Sequence, residues 1–357
     1  MRIMQVIPLL DLAGAETMCE NLTNSLIALD NDVIVVSLYD HHSVVTERLE
    51  KNGVRIIYLG KKSGLDLSVF TKLIKIFKKY KPDVVHSHIY AGKYAHIAAL
   101  ICRIPGKIYT VHSVARKEAG RINRHFNRFL FKCCNVVPVS LSKEIQKSVM
   151  NEYGLDSKKT PIVFNGIPIE NCIEKKSYER NTEILHVGRF SPEKNHEALV
   201  RAIAILVEKG YDIKLSLYGK GELEKTIKGL VCQLHMENRI RFCGVTDHVY
   251  EVMNKHDIFV LPSIYEGMPM TLIEAMGTGL PILASNVGGI PDMIVHEKTG
   301  LLCDPSTEKI AEELERLIRS SAERKMYGEN AIKRSKMFSA NKMAKEYYEI
   351  YLTVCRG

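Results

Sequence analysis

Residues Leu261–Gly279 read LPSIYEGMPMTLIEAMGTG and predict a turn from a buried strand into a helix. The apolar run Ile258–Leu261 that enters this turn is short and continuous, as in a parallel strand covered on both faces. Gly267 and Pro269 interrupt the pattern before a helix begins over Thr271–Met276. The turn is therefore predicted to lie at the carboxyl edge of an α/β sheet.

The same turn carries two carboxylates eight residues apart, Glu266 and Glu274. Backbone N–H groups and the positive end of the dipole at the helix start favour a phosphate group. We expect Glu266 to precede the phosphate position and Glu274 to follow it, so that each accepts hydrogen bonds from hydroxyls on its own side of a diphosphate. A solvated loop glutamate and a surface-helix glutamate would have the same spacing, so this segment alone leaves both interpretations open.

A second turn of this kind, HVGRFSPEKN, occupies residues 186–195. It follows the strand candidate Glu183–Val187 and precedes a helical pattern. Gly188 permits a tight turn, while Arg189 and Lys194 supply a planar fork and a point charge that suit pyrophosphate oxygens. Basic residues at a strand end are often only solvated. The interpretation of Arg189 and Lys194 as phosphate ligands therefore depends on the downstream carboxylates as well.

Together the two segments resemble the retaining glycosyltransferases of family 4, which belong to the GT-B group. The family pattern is G-R-x-x-x-x-K-N, followed downstream by E-x-x-x-x-x-x-x-E, and both parts occur here in order, from Gly188 and from Glu266. The resemblance implies an α/β fold of two Rossmann-like domains, each a doubly wound parallel sheet, that face a central cleft. It also implies sugar transfer from a nucleotide-diphosphate sugar, with retention of configuration and with no metal or other cofactor.

The resemblance further implies roles for individual residues. Arg189 and Lys194 would bind the diphosphate, Glu274 the ribose hydroxyls, and Glu266 with the Gly267–Pro269 backbone would lie near the sugar. The implied catalytic residues are Glu266, Arg189, Lys194 and His112. The implied donor-binding residues are Gly14, Gly188, Gly267, Met268, Pro269, Leu272 and Glu274.

The N-terminal half matches the family in further short segments. The turn Ala13–Glu16 after the first strand looks like the family's G-G-x-E, with Ala13 in place of the first glycine. Because alanine tolerates a positive φ poorly, this departure weakens the match, while Gly14 stays available for close approach to the diphosphate. Val163–Ile167 matches the family's turn between the domains.

Two strand-end histidine segments of the family also have counterparts here. They are Val84–His88 and Tyr109–Ser113. The resemblance assigns His112 to the donor site, reaching across from the N-terminal domain. His86 and His88 remain structural or acceptor-side candidates.

Length and periodicity predict two domains. The 357 residues, 46% of them hydrophobic, are enough for two cores. Because Glu170–Thr182 is polar and aperiodic, we predict an acceptor-binding domain over residues 1–170 and a nucleotide-sugar domain over 171–338, with a C-terminal helix in 339–357 that packs back on the first. Strand candidates in the first half are Ile3–Ile7, Asp32–Ser37, Arg55–Leu59, Asp83–Ser87, Lys107–Val111, Asn135–Val139 and Pro161–Phe164. Those in the second half are Glu183–Val187, Ile213–Tyr218, Ile240–Cys243, Ile258–Leu261, Ile282–Ser285 and Gly300–Leu302.

The excess of positive over negative charge is confined to the N-terminal half. Up to residue 170 there are 24 basic and 15 acidic side chains, and beyond it 26 of each. Within Lys61–Lys132 the balance is 16 to 3, and Leu67–Lys81 and Arg116–Lys132 interleave basic with apolar residues. A core-facing helix with a solvated basic side would show the same pattern. An anionic membrane surface is the sharper interpretation, since it attracts basic residues by about 1 kcal/mol each. Nucleic acid is disfavoured because no base-reading module occurs.

The remaining features indicate a cytoplasmic protein, peripheral on the inner face of the cytoplasmic membrane. No apolar run reaches spanning length, and the N-terminus begins a strand rather than a signal peptide. Nine cysteines without C-x-x-C spacing argue against zinc and a disulfide framework. We expect a UDP-sugar as donor and a membrane-associated glycan or glycolipid as acceptor, such as a polyprenyl-diphosphate-linked glycan in cell-surface polysaccharide biosynthesis.

Three other functions stay open on sequence. A sugar-nucleotide epimerase of the same architecture would need no acceptor. A nicotinamide-dependent oxidoreductase is disfavoured because the turn after the first strand lacks G-x-G-x-x-G. A purely binding protein would not need the full cationic and carboxylate set.

Overall fold

The computed structural model describes residues 1–180 and 182–356. The chain divides into two compact units, of which the first comprises Met1–Ile167 and the segment from Ser339 onward, and the second Pro168–Phe338. The division falls after Ile167, whereas the sequence places it after Glu170.

The first unit alternates strands and helices. Its strands are β1 Arg2–Ile7, β2 Asp32–Ser37, β3 Arg55–Tyr58, β4 Val84–His88, β5 Gly106–Val111 and β6 Val137–Ser140. Its helices up to residue 153 are α1 Gly14–Ile27, α2 Val44–Lys51, α3 Ser68–Tyr80, α4 Gly92–Ile101, α5 Ala115–Glu118, α6 Arg121–Cys133 and α7 Lys143–Tyr153.

All strands of this unit are parallel, in the order β3-β2-β1-β4-β5-β6. Successive side chains of a strand point to opposite faces, so both faces of the sheet acquire a core. Met4 and Val6 pack with Phe77 of α3 on one face, while Ile7 packs with Leu49 of α2 on the other. The chain reverses its winding between β1 and β4, which places a switch point there.

The second unit repeats this plan. Its strands are β7 Glu183–Val187, β8 Lys214–Tyr218, β9 Ile240–Gly244, β10 Ile258–Leu261, β11 Ile282–Ser285 and β12 Leu301–Cys303. Its helices are α8 His196–Glu208, α9 Glu224–Gln233, α10 Val249–Lys255, α11 Met270–Thr278, α12 Ile290–Met293, α13 Thr307–Arg319 and α14 Ser321–Ser335. The parallel strand order β12-β11-β10-β7-β8-β9 puts the switch point between β7 and β10. Two doubly wound parallel sheets, as predicted, are therefore confirmed.

One predicted strand is wrong. Pro161–Phe164 forms no strand and makes only an isolated bridge, Ser140 to Ile162. The prolyl nitrogen has no hydrogen to donate, and the segment exchanges just two backbone hydrogen bonds with Ser140, through Pro161 O and the Val163 N–H. The other predicted strands are present, with ends shifted by at most two residues.

The last helix, α15 Ala340–Arg356, belongs to the first unit and packs on α1 and β5. Its Tyr351 hydroxyl lies 2.7 Å from Nδ1 of His86, and its Tyr347 hydroxyl lies 2.7 Å from Oγ1 of Thr110. Nε2 of His86 lies 2.7 Å from the same Thr110 oxygen. His86 therefore has a structural role, because both ring nitrogens are occupied within the core.

Candidate active site

The turns after β7 and β10 lie side by side because the two strands pair directly. Ligands of open α/β sheets bind outside the carboxyl ends of the strands at such a switch point. Hydrogen bonds fasten the two turns together: the backbone N–H of Ile264 donates to Glu193 O at 2.8 Å, and Nδ2 of Asn195 donates to Pro262 O at 3.0 Å. Asn195 has a left-handed φ of 54°, which asparagine tolerates better than most residues. The two sequence motifs thus share one edge of the second unit.

Lys194 and Glu266, one from each turn, form an ion pair with Nζ 2.5 Å from Oε1. The buried Ser263 hydroxyl donates to the same oxygen at 2.6 Å. Glu266 is only 8% exposed, and a buried charge needs such partners. Within the described ranges, no hydrogen bond reaches Oε2, so this oxygen remains for a ligand.

Arg189 is exposed and forms no ion pair with any described residue.

The backbone around Arg189 is packed so closely that two positions have no room for a side chain. A Cβ on Gly188 would lie 2.9 Å from Nε2 of His186, and one on Gly219 would lie 2.0 Å from Gly188 O. Gly219 also has a φ of 137°, which side-chain-bearing residues rarely adopt. The backbone after β8 therefore packs directly against the turn that carries Arg189.

Besides Gly219, two further glycines that support this edge escaped the sequence analysis as site residues. A Cβ on Gly221 would lie 2.3 Å from Phe190 O, and one on Gly288 would lie 1.8 Å from Glu266 O. Gly289 donates its backbone N–H to that same oxygen at 3.2 Å. The available signal was the position of each glycine, in the loops that follow β8 and β11.

The start of α11 supplies backbone rather than side chains. Pro269 is the residue before the first turn of the helix, with an extended ψ of 125°. The side chains of Met268 and Leu272 are buried, so they contribute to packing. The partly buried Gly267 directly follows Glu266. A ligand at this helix start would meet backbone N–H groups and the positive end of the helix dipole.

Glu274 lies in the second turn of α11 and is buried. No hydrogen bond reaches its carboxylate from the described part of the chain. Burial raises the pKa of this carboxyl to about 7. An unpartnered buried carboxylate of this kind is suited to accept hydrogen bonds from ligand hydroxyls.

We expect Glu274→Gln to stabilise the ligand-free protein at alkaline pH. The folded-state pKa of about 7 exceeds the ordinary 4.5, so ionisation removes stability, beginning above pH 4.5 and ending above pH 7. That shift corresponds to about 3 kcal/mol. Because glutamine carries no charge, calorimetry should show a Tm several degrees above wild type at about pH 8 and a much smaller difference near pH 5. A difference that does not change with pH would contradict the burial of an unpartnered charge.

In the first unit, Gly14 is the first residue of α1. Ala13 before it is extended, with a φ of −139° and a ψ of 166°. Alanine in place of the family's first glycine is therefore unstrained, since this backbone conformation suits any residue. A Cβ on Gly14 would meet no atom within 4 Å, so the helix start is open.

His112 follows β5 directly and is half-buried. Its Nε2 lies 3.2 Å from Nδ1 of the buried His88. Burial lowers the pKa of His112 to about 4, so its ring is neutral at physiological pH. Glu118, which the sequence analysis did not single out, accepts hydrogen bonds from the backbone N–H groups of His112 and Ser113, and burial raises its pKa to about 7.

Comparison with known families accounts for nearly the whole chain. The model of the glycosyl transferases group 1 matches residues 170–334, and the model of glycosyltransferase family 4 matches residues 12–171. The capsular polysaccharide biosynthesis glycosyltransferase CapM of Staphylococcus aureus is 30% identical over 310 residues, which cover 81% of each chain. The chain belongs to the family 4 glycosyltransferases. It is a hexosyltransferase-type enzyme.

Two further comparisons bear on this glycosyltransferase. An Escherichia coli UDP-Gal:alpha-D-GlcNAc-diphosphoundecaprenol alpha-1,3-galactosyltransferase is 29% identical over 259 residues, or 67% of each chain. The crystal structure of Anabaena HepE in complex with UDP and glucose matches with a TM-score of 0.85 at 19% identity, covering 97% of this chain and 98% of that one. The second likeness shows that the fold is GT-B.

The described residues of the glycosyltransferase contain neither a membrane-spanning helix nor a cluster of metal ligands. No helix in residues 1–180 or 182–356 combines the length and the apolar character needed to span a bilayer. In the same ranges, no three His, Cys, Asp or Glu side chains are grouped closely enough to hold a metal ion. Metal independence stays a prediction.

Proposed function

We propose that this glycosyltransferase moves a sugar from a UDP-sugar to a membrane-associated, polyprenyl-diphosphate-linked glycan in cell-surface polysaccharide biosynthesis. The observation that carries the proposal is the arrangement at the β7–β10 switch point. There one turn carries both the exposed Arg189 and Lys194, and Lys194 is ion-paired with Glu266 of the neighbouring turn. Two cations and a carboxylate at the start of a helix suit a diphosphate attached to a sugar.

The chemistry follows from the charges. As the bond from the sugar to the diphosphate breaks, negative charge grows on the leaving oxygen, and Arg189 and Lys194 stabilise it without a metal. The departing phosphate oxygen then takes the proton of the acceptor hydroxyl on the same face, which retains the configuration of the sugar. Glu266 binds the sugar through Oε2. In the first unit, His112 stays the proposed catalytic histidine and Gly14 a proposed donor-binding residue.

The choice of UDP rests on the second unit and on the relatives. The unpartnered Glu274 carboxylate suits the two hydroxyls of a ribose. UDP-Gal stands in the name of the Escherichia coli relative, and UDP was bound in the Anabaena HepE crystal.

The acceptor proposal rests on the same relative and on the surface of the first unit. The relative's name specifies a diphosphoundecaprenol acceptor. On α6, Ile122 is 86% and Phe129 is 53% exposed, with the exposed Arg121 and Arg128 on the same helix. Apolar side chains among solvent-facing cations suit an anionic bilayer surface, where the enzyme would meet such an acceptor as a peripheral cytoplasmic protein.

The function is tested by incubating the enzyme with a panel of UDP-sugars, with and without a short polyprenyl-diphosphate-GlcNAc analogue. We expect release of UDP and a lengthened glycan only when the acceptor is present, with the donor's anomeric configuration kept in the product. Conversion of the UDP-sugar to an isomer without acceptor would instead identify an epimerase. Inverted configuration in the product would contradict the proposed mechanism.

We expect that replacing Lys75, Lys78 and Lys79 of α3 with glutamine weakens binding to acidic liposomes at low salt. All three side chains are exposed, and each contributes about 1 kcal/mol if it lies near the anionic surface. Binding should also fall as the screening length shortens to about 8 Å near physiological salt. The measurement is co-sedimentation with phosphatidylserine-containing vesicles across a salt series.

A matched control removes the same charge from exposed lysines of the second unit, Lys225, Lys298 and Lys333. This control should sediment with the vesicles as wild type does, and UDP affinity should be unchanged in the α3 variant. If the α3 variant sediments with the vesicles as well as wild type does, these three lysines of α3 are only solvated. A soluble acceptor then becomes the better proposal.

A further inference from the structure

A continuous hydrogen-bonded chain runs from β1 to His112 inside the first unit. Nε2 of His112 lies 3.2 Å from Nδ1 of His88, and Nε2 of His88 lies 2.7 Å from Oε1 of Gln5. The Gln5 amide is anchored from α1, because its Nε2 donates to Thr23 Oγ1 at 2.8 Å and its Oε1 accepts the Cys19 thiol at 3.4 Å. Gln5 and His88 are both fully buried.

The direction of each hydrogen bond follows from the amide. A carbonyl oxygen only accepts, so the proton between Gln5 and His88 is on Nε2 of His88. Burial lowers the pKa of His88 well below its ordinary range, so that ring is neutral and its Nδ1 is an acceptor. The proton of the next hydrogen bond is therefore on Nε2 of His112. Because that ring is neutral too, its Nδ1 carries a lone pair.

We propose that Gln5 and His88 are positioning residues that hold His112 in the Nε2–H tautomer, so that Nδ1 accepts a hydrogen bond from a substrate hydroxyl. The identity of that hydroxyl rests on the proposed function, whereas the tautomer does not. In the opposite tautomer, Nδ1 of His112 would carry a proton and could donate a hydrogen bond but not accept one.

The composition of β1 supports a role beyond packing. Its neighbours Ile3, Met4, Val6 and Ile7 are fully buried and apolar. A glutamine amide among them costs free energy unless its hydrogen bonds are made, and an apolar residue would avoid that cost. The ring of His86 lies 4.4 Å from that of His88, but its own nitrogens contact Tyr351 and Thr110 and leave the chain undisturbed.

The direct test is the protonation pattern of His112 in the ligand-free enzyme, read from two-bond ¹H–¹⁵N correlations in ¹⁵N-histidine-labelled protein. His112→Gln identifies the signals by their loss. We expect a protonated Nε2 and an unprotonated Nδ1 near neutral pH. A protonated Nδ1 in the wild-type enzyme would overturn the proposal. This readout needs no donor and no acceptor, so its failure is distinct from failure of the proposed function.

A second test reverses the direction of the hydrogen bonds between Gln5, His88 and His112. In Gln5→Glu, the carboxylate favours a doubly protonated His88, whose two N–H groups then both donate, so His112 must accept at Nε2 and carry its proton on Nδ1. We expect the His112 signals to change accordingly and kcat to fall by roughly 10²-fold. The control is His96→Asn. His96 is a buried histidine that contacts Ser87 and takes no part in the hydrogen bonds that link Gln5, His88 and His112. The His112 signals of this variant should match those of the wild type. Unchanged His112 signals in Gln5→Glu would also overturn the proposal.

Discussion

Arg189→Ala should lower kcat by roughly 10²-fold or more, while the Tm stays at the wild-type value. The guanidinium is exposed and has no ion-pair partner among the described residues, so its removal affects leaving-group charge and little else. Steady-state kinetics with the true donor, alongside a melting curve, measure both quantities. Arg241→Ala is the matched control, because Arg241 is an exposed arginine of the same unit on β9; both quantities should keep their wild-type values there.

Lys194→Ala should lose as much turnover but should also lose stability. Its ammonium lies 2.5 Å from a Glu266 carboxylate that is almost fully buried, and an abandoned buried charge costs roughly 1–3 kcal/mol. Combining Lys194→Ala with Glu266→Gln removes that charge, so the Tm should recover while activity does not. Near-wild-type turnover in both Arg189→Ala and Lys194→Ala would contradict the assignment of these two cations to the leaving diphosphate.

The two carboxylates should separate by kinetic effect. Glu274→Gln should raise the donor KM, because ribose contacts are made equally in the ground state and the transition state. Glu266→Gln should lower kcat, since its contact strengthens as charge develops on the sugar. Glu266 is fixed by Lys194 and Ser263, whereas no described residue hydrogen-bonds to the Glu274 carboxylate.

Full saturation curves for both variants, measured at several acceptor concentrations, give the two parameters. The kcat and KM of each variant are compared with those of the wild-type enzyme, measured at the same fractional saturation with donor. Equal changes in kcat and KM for both variants would mean that the β10–α11 turn does not separate sugar from ribose.

The sequence predicted the parts of the fold that depend on local pattern. Continuous apolar runs such as Ile258–Leu261 identified buried parallel strands, and Gly267 with Pro269 identified the turn into α11. The predicted strand Pro161–Phe164 failed because this apolar segment is joined to Ser140 only by an isolated bridge and is not a strand of the sheet. Periodicity cannot distinguish these two situations when the segment is so short.

The site was predictable in its charged residues and not in their contacts. The motifs contained Lys194 and Glu266, but nothing in a sequence indicates that the pair meets at 2.5 Å across 72 positions or that Ser263 joins it. Gly219 and Gly288 were missed for a related reason. Each is required by backbone from a different loop, at Gly188 and at Glu266, and only the folded arrangement shows that approach.

The most direct test of a nucleotide-sugar site in the second unit is a thermal-shift panel of nucleoside diphosphates and their sugars. A ligand that binds only the folded state raises the free energy of unfolding by about 2.7 kcal/mol at one hundred times its Kd. We predict that UDP and a UDP-sugar raise the Tm, and that Arg189→Ala and Glu274→Gln each reduce this rise relative to their own ligand-free baselines. No rise with any nucleotide, or the same rise in wild type and both variants, would contradict the assignment of the β7–β10 switch point as the donor site.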